Sequence, residues 1–574
     1  MKFKIKNIHI VILAMISIGV SAYFVALYEP TQKPEQIQKA QHIEYKGGLV
    51  LNDTQNIEDM VNEINTLPPA AGGTAYNVSN MANEVTQNML QAFSNSKKHT
   101  LPLFASWNAG IPDYEEGMDP MYMISRLANG EHILVSWKLD PYYNNNISDS
   151  YYEKSIKRAK ELKLPLVFIL PAPESALSND DYYLSLNDSK NANVLTQSGV
   201  ILKELSPFGA NSLWRDVGEK WSKSHVLKLI QKWYPNPPLV VFVSQNEAKK
   251  LLWSDIDISS RYVKKYGLKR DNNFKRSVID AEWIKKYRQM YAGFKRGFIS
   301  DSWKRNVKFI SYNNYPQDMG KANYWIRNST LTNKYLNVWP LTADGSTINF
   351  NLSGSKSDDT ANSPEVLVNN LPLMIKEAKK LNPRFMYQLS INDNDKIYEL
   401  ARYRGYTQFA LWFLRPNIIR QATSKETRTD IEPIFQEIAD SVELIYSSTV
   451  LQDFWTHGEL VSNGKTNLNN NIPGRFQKEP RWFLLTTDAN PVRIPRHPWA
   501  NTTEIEVWAF ALVKGQKPNR EWLLYVQSPK GDISDVKVSV PGYKDVLVDS
   551  SVKGSFYILK EATKDESEQN PKLL

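Results

Sequence analysis

The sequence predicts an α/β protein with an eight-stranded parallel (β/α)8 TIM barrel, followed by a smaller antiparallel β-sandwich. Between residues 101 and 413, short apolar runs alternate with longer amphipathic, lysine-rich segments, which is typical of buried parallel strands separated by helices. After residue 440, short strand-like runs follow one another without helical segments between them. A doubly wound open sheet is the alternative, but no glycine-rich nucleotide fingerprint follows the first run.

The apolar runs give the positions of the predicted barrel strands. In chain order they are Leu101–Trp107, His132–Trp137, Leu164–Leu170, Leu239–Ser244, Val307–Tyr312, Tyr335–Leu341, Arg384–Leu389 and Thr407–Phe413. The domain order that follows is a membrane anchor or signal peptide (1–28), a linker and N-terminal extension (29–98), the barrel (99–440), the β-sandwich (441–562) and a polar tail (563–574).

Composition excludes several classes of protein. The chain of 574 residues is 42% hydrophobic, which is enough for large cores and excludes an intrinsically disordered chain. It has no cysteine, so disulfides, thiolate metal sites and cysteine nucleophiles are excluded. The net charge of +9 is mild for this length and forms no basic stripe, so nucleic acid is not expected as a partner.

The N-terminus predicts export. Lys2, Lys4 and Lys6 precede an apolar run, Ile8–Tyr28, and about 20 apolar residues are enough to span a bilayer as a helix. Val20-Ser21-Ala22 offers a cleavage site, so a signal peptide stays open beside an uncleaved anchor. Both alternatives place the rest of the chain outside the cytoplasm, in a bacterial envelope or secreted.

Aromatic and polar residues recur where the predicted strands end. They include Trp107, Trp137, Asp140, Tyr312 and Trp412. In a TIM barrel, chemistry lies at the C-terminal ends of the strands. Aromatic faces stack on sugar rings, and amides and carboxylates bind hydroxyl groups, so these five residues predict a carbohydrate cleft. Taken singly, a tryptophan at a strand end is more often a packing residue.

Asn246 and Glu247 follow the fourth predicted strand directly. An Asn-Glu pair at this point resembles the acid/base motif of the clan A glycoside hydrolases, which are TIM-barrel enzymes. The resemblance implies that Glu247 is the general acid/base and that Asn246 contacts a sugar hydroxyl. In such enzymes one carboxylic acid protonates the leaving oxygen and a second carboxylate attacks the anomeric carbon.

The second carboxylate departs from the family's pattern. The seventh predicted strand resembles strands of polysaccharide-degrading barrels that carry a nucleophilic glutamate, but the corresponding residue here is Gln388. An amide is a poor nucleophile. Asp393, Asp344 and Glu174 are the substitutes, in that order, and attack by a group of the substrate itself is a further alternative. The sequence leaves retention and inversion of the anomeric configuration open.

Segments near the C-terminus, 481–491 and 520–529, look like accessory β-domains of barrel hydrolases that act on polysaccharides. Together these resemblances imply a glycoside hydrolase of a polysaccharide. The alternative is a catalytically silent polysaccharide-binding protein, because of Gln388. A serine hydrolase is not expected, because no Gly-x-Ser-x-Gly string occurs. No cofactor or metal is expected, since no phosphate loop occurs and the histidines lack metal-ligand spacing. The run at 392–395 is a candidate Ca²⁺ loop, with a solvated turn favoured over it.

Overall fold

A computed structural model describes residues 38–39, 41–46, 49–52, 78–95, 98–107, 118–139, 149–170, 193–244, 251, 253–268, 271–313, 338–350, 372, 375–376, 378–392, 400–422, 427–462, 483–490 and 506–561. The segments that directly follow the eight barrel strands lie largely outside these ranges.

A parallel eight-stranded sheet forms the centre of the molecule. Its strands are β1 (Leu103–Ser106), β2 (Trp137–Lys138), β3 (Leu166–Leu170), β4 (Val240–Ser244), β5 (Val307–Asn313), β6 (Gly345–Phe350), β7 (Met386–Asn392) and β8 (Ile418–Ala422). The spatial order is β1-β8-β7-β6-β5-β4-β3-β2, and a parallel bridge between Phe104 and Ile133 joins its two ends. The predicted barrel with parallel strands is confirmed.

The barrel wall is rich in aliphatic and aromatic residues, most of which are buried. All five residues of β3 are buried. On the outer side, the ring of Phe242 in β4 lies 5.4 Å from Phe168, 5.9 Å from Phe309 and 5.9 Å from Phe298, centroid to centroid. This aromatic layer packs the strands against the surrounding helices, as expected for a parallel sheet covered on both sides.

The helices that surround the barrel and continue beyond it are α1 (Val78–Ala92), α2 (Pro120–Ala128), α3 (Asp149–Glu161), α4 (Asn211–Ser222), α5 (His225–Trp233), α6 (Ser260–Tyr266), α7 (Asn272–Gly297), α8 (Asp301–Asn306), α9 (Val338–Thr342), α10 (Leu400–Leu414), α11 (Arg428–Tyr446) and α12 (Thr449–His457). A 3-10 helix spans Trp253–Ile258, and a two-stranded sheet pairs Asn193–Leu195 with Ile201–Leu205.

Helices α4 and α7 approach each other through glycine. A Cβ atom on Gly218 would lie 2.0 Å from the carbonyl oxygen of Met290, and one on Gly293 would lie 1.9 Å from that of Arg215. No side chain fits at either position, so the two backbones are in direct contact.

Two of the predicted strands are wrong. The run Tyr335–Leu341 ends in α9, and the sixth strand is β6, which starts at Gly345. The run Thr407–Phe413 belongs to α10, and the eighth strand is β8. Every residue of α10 from Thr407 to Leu414 is buried. A helix that is apolar all round has no hydrophobic face to reveal its period, so its sequence resembles a buried strand.

Two further sheets form the C-terminal part, mainly from antiparallel pairs, as predicted. Its strands are β9 (Glu459–Leu460), β10 (Thr486–Thr487), β11 (Trp508–Lys514), β12 (Glu521–Gln527), β13 (Ile533–Ser539), β14 (Asp545–Ser550) and β15 (Ser555–Lys560). Strands from the N-terminal extension complete both sheets. Gln41–Lys46 pairs with β15 and with Leu49–Asn52, while Gln38–Lys39 pairs with β14.

Helix α10 joins the barrel to these sheets. Phe409 lies with its ring centroid 5.3 Å from those of Trp508 and Phe510, and the Tyr525 hydroxyl donates to the carbonyl oxygen of Gly405 at 2.6 Å. The junction is therefore an extension of the core rather than a flexible linker.

Among the described residues, no helix has the length and apolar character needed to cross a membrane. The predicted anchor at Ile8–Tyr28 lies outside the described residues.

Candidate active site

A polar cluster occupies the barrel interior. Gln388, the third residue of the seven in β7, and Arg420 in β8 are both fully buried, at 0% exposure. The Gln388 side-chain oxygen accepts from Arg420 Nε at 2.9 Å, and its Nε2 donates to the Thr347 hydroxyl on β6. Both amide atoms of Gln388 are thus engaged within the barrel.

Arg420 is a buried cation without an acidic partner among the described residues. Its Nη1 donates to the carbonyl oxygen of Ser106 at 3.1 Å and to the Ser136 hydroxyl at 3.2 Å. Its Nη2 has no hydrogen-bond partner in the part of the chain that the structure describes. Burial lowers the pKa of the guanidinium to about 9, and no carboxylate of the described residues offsets this effect.

Trp107, directly after β1, is held from three sides near the C-terminal ends of the strands. Its indole N–H donates to the Ser390 hydroxyl at 2.8 Å, and the guanidinium carbon of Arg420 lies 5.1 Å from its ring centroid. The ring of Tyr312, near the end of β5, meets it edge-on at 6.0 Å. Two of the aromatic residues predicted for the cleft, Trp107 and Tyr312, are therefore brought together.

Trp137 and Trp412, also predicted for the cleft, do not belong to this cluster. Trp137 is fully buried on the outer side of the barrel, where its indole N–H donates to the Ser155 hydroxyl of α3 at 3.0 Å. Side chains alternate along a strand, and Ser136 faces inward, so Trp137 faces outward. Trp412 is fully buried in α10 against Trp455 and Phe556.

Asp344, one of the candidates for the second carboxylate, lies at the opposite end of the barrel. It immediately precedes β6, where its carboxylate accepts from the Phe309 amide at 3.0 Å and from Lys308 Nζ at 3.1 Å. Chemistry in this fold takes place where the strands end, not where they begin. Asp344 precedes the strand because the sixth strand starts later than its apolar run suggested.

The remaining predicted site residues fall outside the described residues: Asp140, Glu174, Asn246, Glu247 and Asp393. Their places in the sequence relative to the strands are nevertheless fixed. Asn246-Glu247 comes shortly after Ser244, the last residue of β4, and Asp393 directly follows Asn392, the last residue of β7.

Arg420 is the main residue that sequence reasoning missed. It follows Ile418 and Ile419 in the short strand Ile418–Ala422, and a charged residue inside such a strand is the signal that was available. Placing the eighth strand at residues 407–413 hid it.

Among the described residues, no group of three His, Asp or Glu side chains is arranged to hold a metal ion.

Comparisons with known proteins give structural matches only. No family model matches the sequence, and no curated protein matches it. GH26A from Muricauda sp. MAR_2010_75 is 11% identical over 66% of this chain and 96% of its own, with a TM-score of 0.31. A modular endo-β-1,4-mannanase from Cellulomonas fimi, a family 26 glycoside hydrolase, is 11% identical over 83% of this chain and 99% of its own, with a TM-score of 0.34.

The TM-scores of both matches are below 0.5, so no residue roles or substrate are carried over from them.

Proposed function

We propose that the protein is a glycoside hydrolase that acts on a polysaccharide, with Glu247 as the general acid/base. One observation carries the proposal: Val240–Ser244 is the fourth strand of a closed parallel barrel, and Asn246-Glu247 follows it. Residues at the C-terminal end of a barrel strand are in the position where this fold carries its catalytic groups.

Asp393 is the proposed second carboxylate. It directly follows β7, the strand that carries the nucleophile in the clan A pattern, whereas Asp344 lies at the other end of the barrel. Glu174, after β3, is the remaining substitute. Trp107 and Tyr312 support a carbohydrate ligand, because they form an aromatic pair near the same ends of the strands.

The test is the release of reducing ends from a panel of neutral and acidic polysaccharides, including β-1,4-mannan. Glu247→Gln should lower turnover by roughly 10²–10⁴-fold through loss of the proton donor. Asp393→Asn should cause a loss of similar size. Asp344→Asn is the matched control, since it removes a carboxylate from the far end of the barrel and should leave turnover near that of the natural chain. Full turnover in Glu247→Gln would exclude Glu247 from the chemistry.

The alternative, a silent polysaccharide-binding protein, depended on Gln388 as a replaced nucleophile. Gln388 lies four residues before the end of β7, and its amide bridges Thr347 and Arg420 inside the barrel. These contacts give the amide a structural role whether or not the protein is active. Binding of glycan without product release in the natural chain would favour the silent protein.

We also propose that the chain is exported and held at a membrane by Ile8–Tyr28. The support is the sequence pattern alone, with Lys2, Lys4 and Lys6 before the apolar run. Fractionation of cells, followed by protease treatment of intact spheroplasts, tests it. Recovery of the chain in the cytosolic fraction would exclude export.

A further inference from the structure

Arg420 carries a charge that no acidic group among the described residues of the barrel balances. The neighbouring strands face it with neutral groups: the Gln388 amide, the Ser136 hydroxyl, the Ser106 carbonyl and the Trp107 ring. Burying a cation without an acidic partner costs several kcal/mol in typical proteins. A cost of this kind is commonly retained where the charge serves function.

The other elements around the cluster bring no acidic group to Arg420 within the described residues. Across the barrel, Thr347 on β6 and Tyr312 on β5 complete the polar cluster, and of these only Tyr312 titrates. The Lys308–Asp344 ion pair lies at the beginning of β5 and β6 and neutralises itself. Within the described part of the chain, no carboxylate therefore offsets the charge of Arg420, which pairs with Ser390 two residues before the end of β7.

We propose that Arg420 is a positioning residue for the hydrolysis proposed above, and that its unbalanced charge keeps the carboxylate acting as nucleophile or base ionised. The inference rests on the proposed function. It concerns the seventh-strand side of the cleft, because β8 pairs directly with β7. In the ring of eight strands, β4 stands opposite β8, so the field acts most weakly on the side where Glu247 follows.

This asymmetry matters because the two carboxyl groups of a glycosidase have different roles. A glycosidase needs one carboxyl group protonated and the other ionised at the same pH, and their environments must separate the two states. A cation near one carboxylate lowers the pKa of that group, more strongly where water is excluded. Arg420 would thereby favour the ionised form of the carboxyl group on the seventh-strand side and leave Glu247 as the proton donor.

The test is the pH dependence of kcat/KM, whose acid limb reports the group that must be ionised in the free enzyme. Arg420→Met removes the charge but keeps an unbranched chain beneath Trp107. Gln388→Glu keeps Arg420 and places a carboxylate in hydrogen-bond contact with it, which neutralises the charge of the guanidinium. Both variants should move the acid limb to higher pH, by roughly one unit. Arg420→Lys keeps the charge and should leave the limb within a few tenths of a unit of its natural position.

The three variants separate an electrostatic role from a structural one. A purely structural Arg420 would change stability and overall rate in Arg420→Met, but would leave the acid limb of Gln388→Glu unmoved. If Arg420→Met does not fold, Gln388→Glu and Arg420→Lys decide the question. An active natural chain with an unmoved limb in Gln388→Glu overturns this inference alone. A natural chain inactive on every polysaccharide overturns the proposed function and this inference together.

Discussion

His132 and Tyr446 stack face to face, with ring centroids 3.3 Å apart and planes inclined by only 10°. The imidazole lies just before β2, and its Nδ1 is 2.9 Å from Glu443 on α11 while its Nε2 is 3.3 Å from Glu84 on α1. The Tyr446 hydroxyl accepts from Asn88 of α1 at 2.8 Å. These contacts fasten α1 over the end of the barrel where the strands begin.

The first prediction is that the contacts of His132 with Glu443 and Glu84 weaken at high pH. Burial lowers the pKa of His132, but Glu443 and Glu84 more than offset it and raise the pKa to about 9. The folded pKa exceeds the unfolded value of about 6.5. The stabilisation is therefore complete below pH ~6.5 and is lost as the pH rises through about 9.

Urea unfolding at pH 6 and pH 9.5 measures the effect. The natural chain should lose about 3 kcal/mol more of its unfolding free energy over this range than His132→Gln, which has no such proton to lose. Equal losses in the two chains would show that His132 is not charged in the folded state.

The second prediction concerns the contact of α4 with α7. Gly293→Ala should lower the unfolding free energy by about 1–3 kcal/mol or more, because the added methyl group would lie 1.9 Å from the Arg215 carbonyl oxygen. Alanine favours a helix over glycine, so intrinsic propensity alone would raise stability. Lys295→Ala, at an exposed position of the same helix, is the control and should stay within about 0.5 kcal/mol. A stabilised Gly293→Ala would mean that the helices stand further apart.

The third prediction concerns the junction of barrel and sandwich. Tyr525→Phe removes the hydroxyl that donates to the Gly405 carbonyl oxygen across the junction, and the loss of this buried hydrogen bond should cost about 1 kcal/mol. Tyr543→Phe, at a half-buried position of the sandwich, should cost less than half as much. Thermal unfolding should remain a single transition in both variants, because the two parts share a core at α10. Separate transitions would contradict that continuity.

The fourth prediction separates the tryptophans. Trp107→Phe and Trp137→Phe each remove an indole N–H bonded to a serine hydroxyl, so both should lose stability. Only Trp107→Phe should also weaken glycan binding, by roughly tenfold, if the aromatic surface stacks on a sugar ring. Calorimetry with the preferred oligosaccharide checks this. Equal affinity in the two variants would remove Trp107 from the cleft.

Sequence patterns predicted the parts of this fold in which burial and periodicity agree. The run at residues 239–243 is apolar throughout and forms most of β4, because a strand covered on both faces needs no polar residue. The same logic failed at α10, since a helix buried on all sides has the same composition as such a strand. Gln388 was identified as a notable residue, but its partner Arg420 was not, because their contact depends on the pairing of β7 with β8.

The pairing of Gln41–Lys46 with β15 has a consequence for biosynthesis. The six-stranded sheet pairs an early segment of the chain with the last strand that the structure describes. This pairing joins residues that are very far apart in the sequence. The ribosome must have synthesised the chain to residue 560 before Gln41–Lys46 can pair with the completed β15, whereas all eight barrel strands have been synthesised by residue 422. The early segment can pair with Leu49–Asn52 at once, but it must wait for β15 until the end of the described chain has been made. A chain shortened to begin after residue 52 would leave β15 as an open edge, available for pairing with other molecules.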